Sequence, residues 1–182
     1  MRNRRTRQMR RIGHMTAITC LLWTSAVTGA ELCGERLPDN GWRLLAVAYP
    51  PDREVEVVLG GAEKTLSSKG LAKVKWRENA AAVEVEIQDL PAPAEAGWSG
   101  QQFVLWAIDS EKRIMNLGLV PLNGKHAKWR VEVPFRVFGL LVTAEENAQA
   151  SAPSSGVALE TRLPMNPNLV VPVFRVNLRL NP

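Results

Sequence analysis

Hydrophobic and polar residues alternate with a period of two along most of the chain after residue 50. Val55, Val57 and Leu59 share one face of an extended segment, while Glu54 and Glu56 share the other. Strict alternation of this kind predicts β-strands with one face on a core and the other in water. The same pattern predicts strands over residues 53–59, 72–77, 83–88, 128–133 and 174–180.

Two further segments, 103–108 and 137–142, are apolar on both faces, which predicts central strands covered on both sides. Turn-forming residues separate the segments, and none has the period of an amphipathic helix, so we predict an all-β fold of nine or ten strands. The expected architecture is a single antiparallel β-sandwich, Greek-key and immunoglobulin-like. Asn123 and Gly124 predict its clearest hairpin, through a type I′ turn.

Positive charge is concentrated at the amino-terminal end of the chain. The formal net charge of the 182 residues is +5, yet six arginines precede residue 12 and no acidic residue precedes Glu31. The part after residue 30 has 17 basic and 18 acidic residues, a formal charge of −1. This distribution argues against a nucleic-acid-binding domain, which needs Lys and Arg concentrated on the fold itself.

Residues 15–30 follow the arginines as a modestly apolar run that ends in small side chains. This is the three-part pattern of a secretory signal, and the run is too short and too rich in Thr and Ser to span a bilayer. We predict a signal peptide over 1–30, cleaved after Ala30, and a single domain over 31–182. A retained anchor helix is the alternative. The predicted location is periplasmic or otherwise extracytoplasmic, with membrane contact through the signal peptide only.

Cysteine and histidine are scarce. Cys20 leaves with the predicted signal peptide, so the exported domain keeps only Cys33 and has no intramolecular disulfide. Cys33 is either inert or a thiol modified by a lipid or an intermolecular bond. Two cysteines and two histidines are too few for a zinc site. We predict no metal and no cofactor.

Three side chains are candidates for binding or chemistry. Trp98 lies in a loop rich in Pro, Ala and Gly, where it would hold a partner, stack on a sugar or fold back over the end of the fold. Asp109 follows the apolar segment 103–108, either as a turn-capping residue or as a carboxylate of a hydrolase. Phe174 lies on a final strand next to Pro172, which predicts an edge strand open to a partner. Pairing inside the sheet beyond Pro172 is the alternative.

The other ionisable groups favour structure over catalysis. His126 is the only histidine after residue 30, and it lies beside the predicted turn with no partner for a catalytic triad visible in the sequence. Paired glutamates are expected to lie on solvated strand faces rather than to form a glycosidase pair, and those two residues apart share one face. These pairs are Glu54 and Glu56, Glu84 and Glu86, and Glu145 and Glu146.

Four short motifs follow one another between Phe103 and Arg162. They are Phe-x-Leu-Trp at 103–106, Leu-Gly at 117–118, Thr-x-Glu at 143–145 and Pro-x-x-Gly at 153–156. In this order they resemble the extracytoplasmic domain of anti-sigma-K type factors, and similar exported domains of bacterial envelope proteins. The resemblance covers about a third of the chain and implies a sensory or interaction domain. We expect neither the sigma-binding part nor the transmembrane part of such factors.

We predict a noncatalytic interaction or sensing module of the cell envelope, and not an enzyme. Its partner would be an envelope protein or a cell-wall component, and not a nucleic acid. One alternative is a carbohydrate-binding module that uses Trp98. The other is a small secreted hydrolase that uses carboxylates near Asp109.

Overall fold

A computed structural model of the protein describes residues 34–51, 53–164, 166 and 168–182. The predicted signal peptide (1–30) and Cys33 lie outside these residues. Eleven strands and one short 3₁₀ turn, Glu63–Thr65, make up the described structure. The strands are β1 (Glu35–Leu37), β2 (Gly41–Ala48), β3 (Glu54–Gly61), β4 (Lys69–Arg77), β5 (Ala80–Gln88), β6 (Gln102–Asp109), β7 (Ile114–Leu119), β8 (Ala127–Val133), β9 (Val137–Glu145), β10 (Val157–Pro164) and β11 (Val173–Arg179).

All strand pairs are antiparallel, and hydrogen bonds join them into one sheet that branches at β9. β6 pairs along one edge of β9, while β2 pairs with the start of the other edge and β10 with its later part. From β10 the sheet continues through β3, β4 and β5 to β8; from β2 it continues to β1 and β11, and β7 flanks β6. The all-β class is confirmed, with eleven strands rather than nine or ten. The Greek-key, immunoglobulin-like sandwich stays a prediction.

β6 and β9 lie between two hydrophobic cores. On β6, Phe103 and Leu105 face the larger core, whereas Val104 and Trp106 face the second. All eight residues of β6 except Gln102 are buried, as are all residues of β9 except Val137. The prediction that both segments are central strands covered on both sides is therefore confirmed.

The larger core is enclosed by the inward-facing residues of the eight strands β3 to β10. The second core lies on the opposite face of β6 and β9 and is closed by β2 and β11, through residues such as Leu44, Val176 and Leu178. Burying one aliphatic side chain of this size stabilises a fold by about 1.5–3 kcal/mol. β11 therefore contributes to stability from one face while its outer edge stays at the periphery of the sheet.

The prediction for the hairpin at Asn123 and Gly124 is wrong in two respects. Asn123 and His126 exchange backbone hydrogen bonds of 2.8 and 3.1 Å, so the turn lies one residue further along, at Gly124 and Lys125. Only Gly124 has a positive φ (60°), whereas a type I′ turn needs two such residues. The flanking strands also do not pair with each other, because β7 pairs with β6 and β8 with β5.

Candidate functional site

Trp98 packs back onto its own domain. Its ring contacts Phe103 edge to face, with centroids 5.9 Å apart and planes at 88°. Lys64 Nζ lies 5.5 Å from the centroid of the Trp98 ring and donates a 2.6 Å hydrogen bond to the carbonyl oxygen of Gly97. Of the roles predicted for Trp98, folding back over the end of the fold is the one that these contacts show. A sugar stacking on the Trp98 face occupied by Lys64 would have to displace that side chain.

A cleft of about 500 Å³ opens beside Trp98, where β6 begins and β9 ends. We call it the Glu145 cleft. Its walls include Arg36, Lys64, Trp98, Glu145, Ser154 and Asn181. These residues come from β1, the 3₁₀ turn, two loops, the end of β9 and the segment after β11, so the cleft exists only in the folded chain.

Glu145 is held at this cleft by a chain of buried hydrogen bonds. The indole Nε1 of Trp106 donates to Thr143 Oγ1 over 2.7 Å, and Thr143 Oγ1 in turn donates to Glu145 Oε1. The backbone N–H of Ser154 donates to the same oxygen over 2.8 Å. Glu145 is only 5% exposed, and Trp106 and Thr143 are fully buried. Because Thr143 and the Ser154 N–H both donate to Glu145, and Trp106 in turn holds Thr143, the Glu145 carboxylate has a fixed orientation.

The second oxygen of this carboxylate, Oε2, differs from Oε1 in its hydrogen bonding. Among the described residues, none donates a hydrogen bond to Glu145 Oε2, and none forms an ion pair with Glu145. Glu146, the next residue, is exposed and likewise forms no ion pair in the described part of the chain. Oε2 is not among the buried side-chain atoms that lack a partner, so it is open to the cleft that Glu145 lines.

The basic side chains of the cleft are already engaged elsewhere. Arg36 forms an ion pair with Glu63 and donates to the carbonyl oxygen of Ser155 over 3.3 Å. Its hydrogen bond to Glu63 raises the pKa of Arg36, so the guanidinium is charged. Lys64 is held by Gly97 and Trp98, as described above. The cleft can thus accept a hydrogen-bond donor or a positive charge at Glu145.

Asp109 has a structural role at the far end of β6. Its Oδ1 accepts hydrogen bonds from the backbone N–H groups of Glu111 (2.9 Å) and Arg113 (2.8 Å), and Oδ2 forms an ion pair with the Arg113 side chain. These are the bonds of a turn-capping aspartate. At a rise of roughly 3.3 Å per residue, the length of β6 separates Asp109 from the Glu145 cleft by roughly 20 Å. The two carboxylates therefore do not share a site.

Phe174 lies on an edge strand, as predicted. β11 begins immediately after Pro172 and, among the strands that the structure describes, pairs only with β2. Phe174 is 45% exposed and Val173 is 36% exposed. The alternative, pairing inside the sheet beyond Pro172, also holds in part, because residues 173–179 pair with β2 along one side.

The outward-facing groups of β11 follow from its register with β2. Ala48 N donates to Pro172 O over 2.9 Å, and Leu180 N donates to Asn40 O over 2.8 Å. Hydrogen-bonded residues alternate in an antiparallel ladder, so the even-numbered residues of β11 bond to β2. The N–H and C=O groups of its odd-numbered residues point away from the sheet. We call this side of 173–179 the β11 edge.

The outer face of β3, β4, β5 and β8 is a surface of paired charges. Glu84 accepts hydrogen bonds from Arg130 (2.7 Å) and forms an ion pair with Lys128 (3.2 Å), and Glu56 pairs with Lys73 (3.2 Å). The hydrogen bonds from Arg130 and Lys128 lower the pKa of Glu84. A shallow hollow of about 560 Å³ lies on this face, and Lys73, Glu84 and Arg130 of its lining form ion pairs within the sheet. The prediction that Glu84 lies on a solvated strand face is confirmed.

His126 is exposed beside its turn, as predicted. In the described part of the chain, no group of three or more His, Cys, Asp or Glu side chains has the arrangement of a metal site. No helix within 34–51, 53–164, 166 or 168–182 is long and apolar enough to cross a membrane. A comparison with known proteins found no matching family model, no matching curated protein and no matching solved structure.

The prediction that Glu145 lies on a solvated strand face is wrong, because Glu145 is buried and only Glu146 is exposed. Glu145 was missed as a site residue because in the sequence it looks like a member of one more pair of glutamates. One signal was present: Glu145 follows the buried apolar run of β9, as Asp109 follows that of β6. A carboxylate that directly ends a doubly covered strand has no free strand face to occupy. Such a residue must find partners at the end of the sheet, which is where Glu145 meets Thr143 and Ser154.

Proposed function

We propose that this protein is a noncatalytic interaction module of the cell envelope, exported by residues 1–30, and that it binds an extended segment of another envelope protein along the β11 edge. The observation that carries the proposal is the row of backbone N–H and C=O groups that β11 directs away from β2. Such a row is a template for one further antiparallel strand.

The side chains of the β11 edge favour a partner of defined chemistry. β11 has no acidic residue, and its Arg179 is exposed. An arginine on an edge strand disfavours a basic residue placed opposite it, since like charges there are destabilising. Arg179 therefore favours a partner strand with Asp or Glu opposite it. Phe174 offers the partner an apolar contact on the adjoining face.

The same structure gives less support to the other two functions. A carbohydrate-binding role for Trp98 would need an open aromatic face, and Lys64 lies over that ring. A hydrolase based on Asp109 would need a carboxylate free to exchange protons with a substrate. Asp109 is 2% exposed and is bonded to Glu111 and Arg113.

Residue-resolved hydrogen–deuterium exchange tests the proposal. The probe is a nine-residue synthetic peptide in which Glu alternates with Val. We expect exchange at the amides of Val173, Asn177 and Arg179 to slow by at least about tenfold, which corresponds to about 1.4 kcal/mol of protection. The amides of Val176 and Leu178 are already bonded to β2, so their exchange should not change.

Two controls make the test specific. Asn177→Pro removes one outward N–H and the 3.3 Å side-chain bond from Arg43 but no backbone bond to β2, and it does so at a position where an edge strand tolerates proline. This variant should fold and lose the peptide effect, whereas Asn177→Thr should keep it. Equal slowing in Asn177→Pro, or none in the native protein, would refute the proposal. Slowing that depends on protein concentration without peptide would show self-pairing of β11 instead.

A further inference from the structure

We infer that the Glu145 cleft is a second binding site, separate from the β11 edge, and that it takes a primary ammonium group. The inference starts from the hydrogen-bond chain Trp106–Thr143–Glu145. This chain saturates Oε1 and fixes the carboxylate plane, while Oε2 receives no hydrogen bond from the described residues. A carboxylate prepared in this way binds a donor without having to reorganise.

The charge balance of the cleft selects the kind of donor. Glu145 and Glu146 form no ion pairs among the described residues, whereas Arg36 is neutralised by Glu63. The remaining basic group, Lys64, is bonded to a carbonyl oxygen and lies against Trp98. The uncompensated charge next to Oε2 is thus negative. A cation gains more from this carboxylate than a neutral hydroxyl does.

An ammonium group has three N–H donors and no acceptor, so it suits a cleft whose open polar atom is a carboxylate oxygen. The polar residues Asn147, Ser154, Ser155 and Asn181 line the walls of the cleft. Their oxygens already accept hydrogen bonds within the protein, which leaves Glu145 Oε2 as the primary acceptor. The cavity of about 500 Å³ has room for a ligand larger than a simple ion. Two sources provide this chemistry: the lysine side chain of a peptide, and an amino sugar whose nitrogen is not acetylated.

The backbone around the cleft is closely packed, which keeps its shape fixed. A Cβ at Gly100 would lie 2.7 Å from the carbonyl carbon of Ala144, so only glycine fits there. Ser154 contributes twice, since its N–H binds Glu145 Oε1 and its Oγ donates to Ala144 O over 2.8 Å. A preformed site of this kind needs no partner to assemble it.

Nuclear magnetic resonance titration of the whole protein tests the inference. The reporters are the Ser154 amide and the Trp106 indole N–H, because both bond to the Thr143–Glu145 unit. The probes are glucosamine and Nα-acetyl-lysine amide, each compared with its form acetylated on the ammonium nitrogen. We expect saturable shifts of both reporters with an ammonium probe and loss of at least nine-tenths of the affinity on acetylation. Selectivity between the two probes identifies the source.

Variants then separate the effect of the carboxylate charge on ammonium binding from the effect of its fixed orientation. Glu145→Gln should weaken ammonium binding by at least about tenfold, while Glu146→Gln, a matched loss of one charge, should have a smaller effect. Thr143→Val keeps the charge but removes the hydroxyl that orients Glu145. Its loss of ammonium affinity should lie between those of Glu145→Gln and Glu146→Gln. Equal binding of an ammonium probe and its acetylated form, or no binding of either ammonium probe by the native protein, would overturn the inference without reference to any variant.

The test is independent of the proposed strand pairing. The acidic peptide should still protect the β11 edge in Glu145→Gln, and ammonium binding should survive in Asn177→Pro. A failure at one site therefore does not count against the other. Loss of both activities in both variants would indicate that the two sites are one, which would contradict the inference.

Discussion

The indole N–H of Trp42 donates a 2.7 Å hydrogen bond to Oε2 of Glu160, and both residues are buried. Arg162 Nη2 lies 2.9 Å from Oε1 of the same carboxylate, although the contact lacks the alignment of a hydrogen bond and acts as an ion pair only. Burial is the dominant influence and raises the pKa of Glu160 above 4.5. The attraction of Arg162 and the bond from Trp42 act in the opposite direction without cancelling it.

Replacing Glu160 tests the consequence of this burial for stability. The folded protein binds the Glu160 proton more tightly than the unfolded chain does, so the contribution of this group is largest below pH 4.5 and is lost as the pH rises through the folded pKa. We therefore expect Glu160→Gln to become progressively more stable relative to the native protein as the pH rises from about 4 to about 7. Urea unfolding at a series of pH values measures the difference. Glu146→Gln is the control, and parallel curves for Glu160→Gln and the native protein would contradict the expectation.

Tyr49 offers a second test of a buried polar group. Its ring packs on Phe138 with centroids 4.6 Å apart, and its hydroxyl is buried without a hydrogen-bond partner among the described residues. An unsatisfied buried hydroxyl is costly, so Tyr49→Phe should leave the free energy of unfolding unchanged or raise it by up to about 1 kcal/mol. Tyr49→Ala should lower it by about 3–5 kcal/mol. Thermal or urea unfolding distinguishes these outcomes; a loss above about 1 kcal/mol in Tyr49→Phe would reveal a partner for the hydroxyl.

Alkaline titration uses the fact that Tyr49 is the only tyrosine of the chain. Burial raises the pKa of its hydroxyl well above the ordinary value of 10.0. The folded state therefore disfavours the phenolate, and stability falls as the pH rises above 10.0. We expect the ultraviolet absorbance of the phenolate to appear together with the loss of tertiary structure. Phenolate absorbance in a protein that remains folded at that pH would show that Tyr49 is accessible.

Substitution of Asp109 separates a structural role from a catalytic one. Asp109→Ala leaves the N–H groups of Glu111 and Arg113 without their acceptor and should cost about 2 kcal/mol of stability. Asp109→Asn keeps an oxygen in the same position and should cost about half as much or less. Unfolding measurements give both values. Equal stability of all three proteins would mean that the turn does not depend on this side chain.

Export is tested with the residues that precede the domain. Residues 1–30 fused to a reporter that is active only outside the cytoplasm should produce activity, and replacing the six arginines with glutamine should reduce it. Amino-terminal sequencing of the secreted protein should begin at Glu31. A chain that begins at Met1 in the envelope would show that the segment is retained as an anchor.

The period-two pattern located five of the eleven strands, β3, β4, β5, β8 and β11, because their residues face a core on one side only. β3, β4 and β5 alternate buried and less buried residues almost without exception. β2 gave no such signal, since Leu44, Leu45, Ala46 and Val47 are all buried. β1 has three residues, too few to show a period. A contiguous apolar run indicates that a strand is buried on both faces, but it does not indicate which strands cover those faces.

The candidate site was less accessible to prediction than the fold. Asp109 bonds to groups within four residues of it along the chain, and such local partners can be predicted from a sequence. Glu145 depends on Ser154, nine residues away across a loop, and through Thr143 on Trp106 in another strand. The spacing of the Trp, Thr-x-Glu and Pro-x-x-Gly motifs was visible in the sequence. Their meeting in one hydrogen-bond chain is set by the register of β6 with β9.

The second core is closed by β11, which is synthesised after the other strands that line this core. The outer faces of β6 and β9, with Val104, Trp106 and Leu141, are complete well before β11 is synthesised. Until that strand arrives, β2 lacks its hydrogen-bonded neighbour and an apolar stripe stays in contact with water. Partly folded chains with such exposed surfaces are prone to aggregate. Pairing of β11 with β2 therefore covers the apolar stripe and lowers the tendency of the newly made chain to aggregate with other copies.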